Sequence, residues 1–256
     1  AETLKEKKVI FWGEYHGDAI CHQLEIELLK ALYSVNPKLI VSMEMFERDV
    51  QTYLDDYLSG SISEEVFLTS SRPWPNYARD YRPLVEFARI NKLRIIAANV
   101  PRRYASMIAK TGVNALKELP DEEKEHVAQN LIVLDDEYKK NFFETITQSK
   151  FGNEENMAPA ELLDKMYAAQ CLKDDTMAES IVKALTKQPD HLVIHYNGDF
   201  HSRKYLGTVQ KLQMLAPELD LAVISPVYTN KGFSDKDNQI LRIEGDFLLL
   251  INQDNK

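Results

Sequence analysis

Short apolar runs alternate with longer amphipathic stretches along most of this chain. The runs are four to six residues long, rich in isoleucine and valine, and followed by Gly, Asn, Glu or Pro. Strands that helices cover on both faces have this pattern, because neither face meets water. We therefore predict an α/β fold with a mainly parallel sheet flanked by helices. The runs are residues 9–12, 39–43, 93–98, 191–196 and 221–225.

The middle of the chain lacks this strand pattern. Between Pro101 and Pro189 no convincing strand appears, and helical periodicity takes its place. We interpret these helices as an insertion of residues 101–188 into an α/β core formed by residues 1–100 and 189–256. The helical stretches are residues 103–110, 121–129, 135–149 and 159–187.

Two local patterns predict the first helix of the fold and its last strands. The first helix is expected to begin near Asp18 and to bury an apolar stripe with a spacing of four residues. Near the C-terminus, residues 240–244 and 247–252 flank a Gly-Asp pair, which predicts a closing β-hairpin. The stripe of the first helix consists of Ile20, Leu24, Leu28 and Leu32.

Composition narrows the classes of partner and site. The 256 residues contain 31 Lys and Arg against 40 Asp and Glu, a formal net charge of −9, so we expect no binding to nucleic acid. The motifs GxSxG, GxxxxGK(S/T), GxGxxG and HExxH are absent, which argues against serine hydrolysis and nucleotide chemistry. Cys21 and Cys171 lie outside any CxxC motif, and we predict that both are free thiols.

Two distant tetrapeptides have the same order of residue types. Residues 13–16 (GEYH) and 198–201 (GDFH) each give Gly, an acid, an aromatic and His just after a predicted strand. The carboxyl ends of parallel strands line the crevice where ligands of such sheets gather. Glu44 follows the second apolar run, where an unpaired buried charge would be costly. His16, Glu44 and His201 could therefore bind one divalent metal ion.

Each part of this site also has a structural interpretation. A Gly-x-x-His tetrapeptide is common by chance, and Glu44 could instead pair with Arg48. His22 and Glu25 lie three residues apart and share a helix face, so they could orient His16 or form a solvated ion pair.

Basic and aromatic residues suggest a further ligand surface. Asn99 ends the third predicted strand and completes the set of supporting site residues. Arg102 and Arg103 follow it and could bind carboxylates in a bidentate manner, although such a pair is often solvated. The aromatic residues of the helical insertion could line a site for a flat apolar ligand, but residues at this helical spacing more often form a core.

A set of segments scattered from Gly13 to about Leu212 carries a resemblance to a known family. The segments are residues 13–16 with His22 and Glu25, Glu44, residues 77–88 (YARDYRPLVEFA), Asn99, residues 170–178 (QCLKDDTMA) and residues 197–201. In this order they resemble the ChaN-like haem-binding, iron-regulated lipoprotein family, which is related to the wider Tiki and erythromycin-esterase-like superfamily.

The resemblance implies haem binding, with two haems stacked in a homodimer. It implies that a tyrosine ligates the haem iron with help from a histidine of the partner chain, and a phenolate suits ferric iron as a hard, anionic oxygen ligand. Tyr138 and Tyr167 are the candidate ligands, and Arg102 and Arg103 would meet the propionates. The expected partners are haem, a second copy of the chain and an outer-membrane haem receptor.

The resemblance also implies a location at the envelope of a Gram-negative bacterium, as an outer-membrane lipoprotein or in the periplasm. The sequence does not start with the lipidated cysteine of the family, so we expect the anchor segment to precede it. No apolar run approaches the roughly 18 residues of a membrane-spanning helix.

Related enzymes of the superfamily imply an alternative function, metal-dependent hydrolysis. By position, His16, Glu44 and His201 would bind the divalent metal, and Glu14 or Asp199 would be the general base that activates water. The sequence therefore predicts a haem-binding protein of iron acquisition that captures or stores haem, and it leaves open whether the protein is an enzyme.

Overall fold

The computed structural model describes residues 1–148, 159–229 and 244–252. Its centre is a sheet in which every described pair of neighbouring strands is parallel. The strands are β1 (Val9–Glu14), β2 (Leu39–Glu47), β3 (Arg94–Asn99), β4 (Leu192–Gly198), β5 (Leu221–Thr229) and β6 (Phe247–Asn252). Their order is β3-β2-β4-β1-β5-β6. The prediction of an α/β fold with a parallel sheet is confirmed.

Helices connect the strands and cover both faces of the sheet. They are α1 (Ala19–Val35), α2 (Gln51–Ser59), α3 (Glu64–Ser71), α4 (Tyr77–Asp80), α5 (Arg82–Ile90), α6 (Arg102–Thr111), α7 (Asp121–Lys124), α8 (Glu137–Ile146), α9 (Ala160–Lys187) and α10 (Thr208–Leu215). Cys21 on α1 and Cys171 on α9 are buried free thiols, as predicted. Among the described residues, no helix has both the length and the apolar composition that a membrane crossing requires.

Both faces of the sheet are buried, which explains why the strands show little alternation of polar and apolar residues. Side chains alternate along a strand, so Ile10 and Trp12 face one layer while Val9 and Phe11 face the other. The first layer contains α1 and α5, and the second contains α10 and the C-terminal half of α9. Burial of each large apolar side chain contributes about 1.5–3 kcal/mol.

The strand order brings the two distant tetrapeptides together. Strand β4 is inserted between β1 and β2, and Gly13 lies beside Asn197 while Glu14 lies beside Gly198. All three strands are parallel, so their carboxyl ends meet at the same edge of the sheet.

The buried face of α1 differs from the predicted apolar stripe. The helix begins where expected, because the Asp18 side chain accepts hydrogen bonds from the backbone N–H groups of Ile20 and Cys21. Leu24, however, is 38% exposed. The face that is buried carries Cys21, His22, Glu25, Leu29 and Leu32. The apolar spacing did not predict this face correctly, because two of the residues that α1 buries are polar and belong to a hydrogen-bonded cluster.

The C-terminal strand is present, but its described pairing is not that of a hairpin. Residues 247–252 form β6, which pairs in parallel with β5. The other arm of the predicted hairpin, residues 240–244, lies outside the described residues except for Glu244.

Candidate functional site

His16, Glu44 and His201 converge at the carboxyl ends of β1, β2 and β4. His201 Nε2 lies 3.3 Å from Glu44 Oε1. The Gly198 N–H donates a hydrogen bond of 2.8 Å to Glu44 Oε2. A methyl group placed on Gly198 would lie 2.7 Å from His16 Nε2 and 3.6 Å from Glu44 Oε2. The missing side chain of Gly198 therefore leaves the space in which the two histidines and the carboxylate meet.

Glu44 lies inside β2 rather than after it, because the strand continues to Glu47. The pairing of β2 with β3 shifts register between Met43 and Glu47. Such irregularities re-aim side chains near functional sites. Arg48, the alternative partner of Glu44, forms its ion pair with Glu179 instead.

Glu44 and His201 form a buried ion pair. Burial would raise the pKa of Glu44, but the charge and hydrogen bond of His201 outweigh burial and lower it. Burial would likewise lower the pKa of His201, but the charges and hydrogen bonds of Glu44 and Asp174 raise it to about 10. At neutral pH the pair is therefore a carboxylate and an imidazolium.

Asp174 of α9 holds His201 from the other side, and sequence reasoning missed it. Its Oδ1 lies 2.6 Å from His201 Nδ1 and accepts a hydrogen bond of 2.8 Å from the Thr208 hydroxyl. Its side chain is fully buried. The available signal was an aspartate between Cys171 and Met177 on the apolar face of an amphipathic helix, where a charge is unexpected.

Glu14 orients His16. Glu14 Oε1 lies 2.6 Å from His16 Nδ1 and accepts a hydrogen bond of 2.6 Å from the Tyr81 hydroxyl. Glu14 accepts the Nδ1 proton in this contact, so the neutral form of the His16 ring has its lone pair on Nε2. Burial would lower the pKa of His16, but the Glu14 hydrogen bond and the charge of Glu44 raise it. The His16 side chain is 49% exposed, and its ring contacts the edge of Trp74 at 5.0 Å between centroids.

His22 and Glu25 lie behind Glu14, away from solvent. His22 Nδ1 is 3.0 Å from Glu25 Oε2 and 3.7 Å from Glu14 Oε2. His22 is 6% exposed and Glu25 is fully buried, so they do not form a solvated pair. Burial, followed by the charge of Glu14, raises the pKa of Glu25 well above its usual range.

Asp199 and Asn99 have other partners. The Ser225 hydroxyl donates a hydrogen bond of 2.5 Å to Asp199. Burial raises the pKa of Asp199 to about 6. Asn99 Oδ1 accepts a hydrogen bond from the neighbouring backbone N–H of Val100. In the structure, Glu14 therefore contacts one of the converging histidines, whereas Asp199 and Asn99 bond to other partners.

Tyr138 and Tyr167 are both inside the protein, each 1% exposed. The Tyr138 hydroxyl donates a hydrogen bond of 2.8 Å to Asp174. Burial raises the pKa of both phenols, so both keep their protons at neutral pH. Both phenol rings are therefore shielded from solvent in this structure.

A cleft of about 650 Å³ opens beside His16. Arg102 is exposed and forms no ion pair with any described residue, whereas Arg72 and Arg103 both pair with Asp49. Trp74, which contacts His16, is part of the cleft wall. The lining residues are Glu47, Arg72, Pro73, Trp74, Pro75, Arg102, Arg103 and Ser106.

Comparison with known families identifies the family of this chain. The family model described as "Haem-binding uptake, Tiki superfamily, ChaN" matches residues 1–212. The chain belongs to this ChaN family. The resemblance noted in the sequence is therefore confirmed, and with it the relation to the Tiki superfamily.

Two solved structures are similar to this chain at low sequence identity. ChaN of Campylobacter jejuni, described as showing cofacial haem binding, matches with a TM-score of 0.69 and 22% identity, over 96% of this chain and 88% of that one. A mutant erythromycin esterase in its open conformation matches with a TM-score of 0.49 and 14% identity, over 88% of this chain and 71% of that one.

A curated relative matches only part of the chain. RETICULATA-RELATED 5, a chloroplastic protein of Arabidopsis thaliana, is 26% identical over 124 residues, which is 46% of this chain. The match spans 17% of the plant protein.

Proposed function

We propose that this protein binds haem in the cleft beside His16 and captures or stores it for iron acquisition. The observation that carries the proposal is the position of a half-exposed, carboxylate-oriented imidazole next to a cleft of about 650 Å³. Clefts of roughly 300–1,000 Å³ are the usual size for small-molecule and cofactor sites. Membership of a haem-binding uptake family supports the same ligand.

The residues present fit the iron of a haem. A bound haem would supply an iron centre that a protein side chain can ligate. Glu14 holds Nδ1 of His16, so Nε2 is the atom with which His16 would ligate that iron. A carboxylate on the other ring nitrogen fixes the tautomer and raises the basicity of a ligating histidine.

The residues also fit the porphyrin and its propionates. Trp74, with the flanking Pro73 and Pro75, gives the cleft an apolar wall for a flat ring. Arg102 and Arg103 at the start of α6 can donate paired hydrogen bonds to carboxylates. Because Arg103 already pairs with Asp49, we expect Arg102 to contribute more.

A titration with ferric haem tests the site and the ligand together. Haem added to the metal-free protein should shift the Soret band and saturate at a fixed ratio. His16→Ala should change the spectrum and weaken affinity, whereas Tyr138→Phe and Tyr167→Phe should leave both unchanged. No Soret shift in the wild type would exclude haem binding, and a spectral change only in a tyrosine variant would assign the iron to that phenol.

The cleft itself is tested by charge removal. Arg102→Gln should weaken haem binding about tenfold, the loss expected for one charge-assisted hydrogen bond. Arg89→Gln is the matched control, because Arg89 is a similarly exposed arginine that pairs with Glu86 and lines a different cavity. Equal effects of the two variants would move the haem site away from this cleft.

We propose the finer assignments that the family implies on the same basis. They are an outer-membrane lipoprotein or periplasmic location, a homodimer formed on haem binding, and exchange of haem with an outer-membrane receptor. Light scattering with and without haem tests the dimer, and fractionation of the native cells tests the location. A monomer at saturating haem would contradict the stacked-haem arrangement.

The paired histidines favour a second candidate function, metal-dependent hydrolysis. A buried Glu44–His201 pair with perturbed pKa values in a crevice is typical of catalytic sites. A divalent ion there would supply Lewis acidity, with His16, Glu44 and deprotonated His201 as its ligands and Glu14 as the nearest base. This candidate predicts an ion that survives purification and is lost in the His16→Ala, His201→Ala double variant. Retention of the ion in that variant would exclude these ligands.

A further inference from the structure

A second cluster of ligating atoms lies behind the haem-facing site. Glu14, His22 and Glu25 each offer one atom, and these atoms lie within 4.8 Å of one another. His22 Nδ1 is 3.0 Å from Glu25 Oε2 and 3.7 Å from Glu14 Oε2. The three residues are between 0% and 6% exposed. The cluster is thus a compact interior group of two carboxylates and one imidazole.

Among the described residues, only histidines form ion pairs with the two carboxylates of this cluster. Glu14 Oε2 and Glu25 Oε1 are buried without a hydrogen bond to any described residue. No lysine or arginine of the described residues forms an ion pair with either carboxylate. Adjacent buried carboxylates must be neutralised by a proton or by a cation, because their charges repel in a low-dielectric interior.

We infer that Glu14, His22 and Glu25 bind a divalent first-row transition metal ion. Imidazole together with carboxylate oxygens is a donor set for Zn²⁺, Mn²⁺ or Fe²⁺. Neighbouring ligand atoms around a tetrahedral ion with bonds near 2.1 Å lie about 3.4 Å apart. The separations of 3.0 and 3.7 Å at His22 Nδ1 bracket this spacing.

The surroundings of His22 support a ligating role. Its Nε2 lies 3.4 Å from Asp80 Oδ2, and Arg79 and Asn76 hold that carboxylate in place. A carboxylate behind a ligating histidine is the usual arrangement at protein metal sites. The Gly17 N–H donates to Nε2, so the ring proton of the metal-free protein is on Nδ1, facing Glu25. Ion binding at Nδ1 would place that proton on Nε2, where Asp80 can accept it, and the Gly17 N–H would lose this acceptor.

This metal site is independent of the proposed haem binding, although the two share a residue. Glu14 Oε1 holds His16 while Oε2 faces the interior cluster. A bound ion therefore fixes the carboxylate that orients His16, and it does so whether or not haem is present.

Metal uptake by the full chain tests the inference without haem. Chelator-treated protein is titrated with Mn²⁺, followed by loss of the free-ion electron paramagnetic resonance signal, and with Zn²⁺ by dialysis and elemental analysis. The wild type should bind one equivalent. Glu25→Gln, which preserves shape, should bind none. Glu44→Gln should still bind one, because it alters only the His16, Glu44 and His201 set.

The outcomes separate this site from the alternatives. No uptake by the wild type overturns the inference and leaves a proton shared between Glu14 and Glu25. Uptake that is lost in Glu44→Gln but kept in Glu25→Gln also overturns it, by assigning the ion to the converging histidines. If Glu25→Gln does not fold, Asp80→Asn takes its place, and it should weaken affinity about 10- to 100-fold.

Discussion

The space at Gly198 sets how closely His16 can approach Glu44. An added methyl group would lie 2.7 Å from His16 Nε2 and 2.8 Å from Cε1 of the same ring, closer than side chains pack. We predict that Gly198→Ala displaces this ring, destabilises the protein by about 1–3 kcal/mol and weakens haem binding. Urea unfolding and Soret titration measure the two effects.

A double variant checks the cause of this loss. If the added methyl group acts by collision with His16, then His16→Ala combined with Gly198→Ala should cost less stability than the sum of the single changes. Additive losses would show that the strain lies elsewhere.

His195 gives a pH dependence that one side chain controls. Burial lowers the pKa of this fully buried imidazole to about 3, and its Nδ1 lies 2.8 Å from the Ser42 hydroxyl. The unfolded chain takes up a proton below about pH 6.5, whereas the folded protein does not. The contribution of His195 to stability is therefore complete above that pH and is lost as the pH falls toward 3.

We predict that His195→Gln flattens this part of the profile. Between pH 7.5 and pH 5, the wild type should lose about 2 kcal/mol more unfolding free energy than the variant, since the glutamine does not titrate. Urea unfolding at pH 7.5, 6 and 5 provides the comparison. Parallel profiles would show that the buried ring is protonated as readily as the free one.

Individual site residues could be predicted only where the backbone dictated their position. His16 and His201 follow parallel strands and Glu44 lies in the last part of one, so strand prediction placed all three toward the carboxyl edge of the sheet. Asp174 could not be found in this way, because a helix of another part of the chain brings it to His201. The direction of Asp199 depends on the Ser225 hydroxyl, which no sequence spacing reveals.

At the scale of elements, Arg48 connects the end of β2 to α9. Its side chain is 9% exposed, and its guanidinium donates to the Thr176 carbonyl at 2.7 Å and to the Ser180 hydroxyl at 2.9 Å. The same group forms an ion pair with Glu179. Burial would lower the pKa of Arg48 and exceeds the opposing effect of Glu179. These contacts hold the strand that carries Glu44 against the helix that carries Asp174.

We predict that Arg48→Ala destabilises the protein by about 2–4 kcal/mol, because it leaves buried acceptors without donors. Arg89→Ala, at an exposed arginine that pairs with Glu86, should change stability by no more than about 0.5 kcal/mol. Urea unfolding of the two variants decides the point. Equal losses would show that Arg48 is no more than a surface charge.

The elements themselves could be predicted to different degrees. Strands that are buried on both faces stand out as apolar runs, so β1 to β5 were found within a few residues. The buried face of α1 was predicted wrongly, because His22 and Glu25 are buried in a polar cluster rather than by apolar contacts. The apolar period of a helix identifies its buried face only where the contacts of that face are apolar.

At the scale of the whole molecule, strand order produces the site. Insertion of β4 between β1 and β2 joins three sequence regions that are far apart, and α9 reaches across the second face of the sheet to complete their surroundings. The sequence predicts a parallel sheet, but it does not specify which strands are neighbours. From the sequence alone, the convergence of the two tetrapeptides was therefore a hypothesis, because it depends on which strands are neighbours.

A crystal structure of the ferric haem complex, with the iron located by its anomalous scattering, tests the proposed haem site most directly. We predict that the iron is bound to His16 Nε2, with the porphyrin against Trp74 and a propionate at Arg102. An iron bound to a tyrosine oxygen, or a haem away from this cleft, would contradict it.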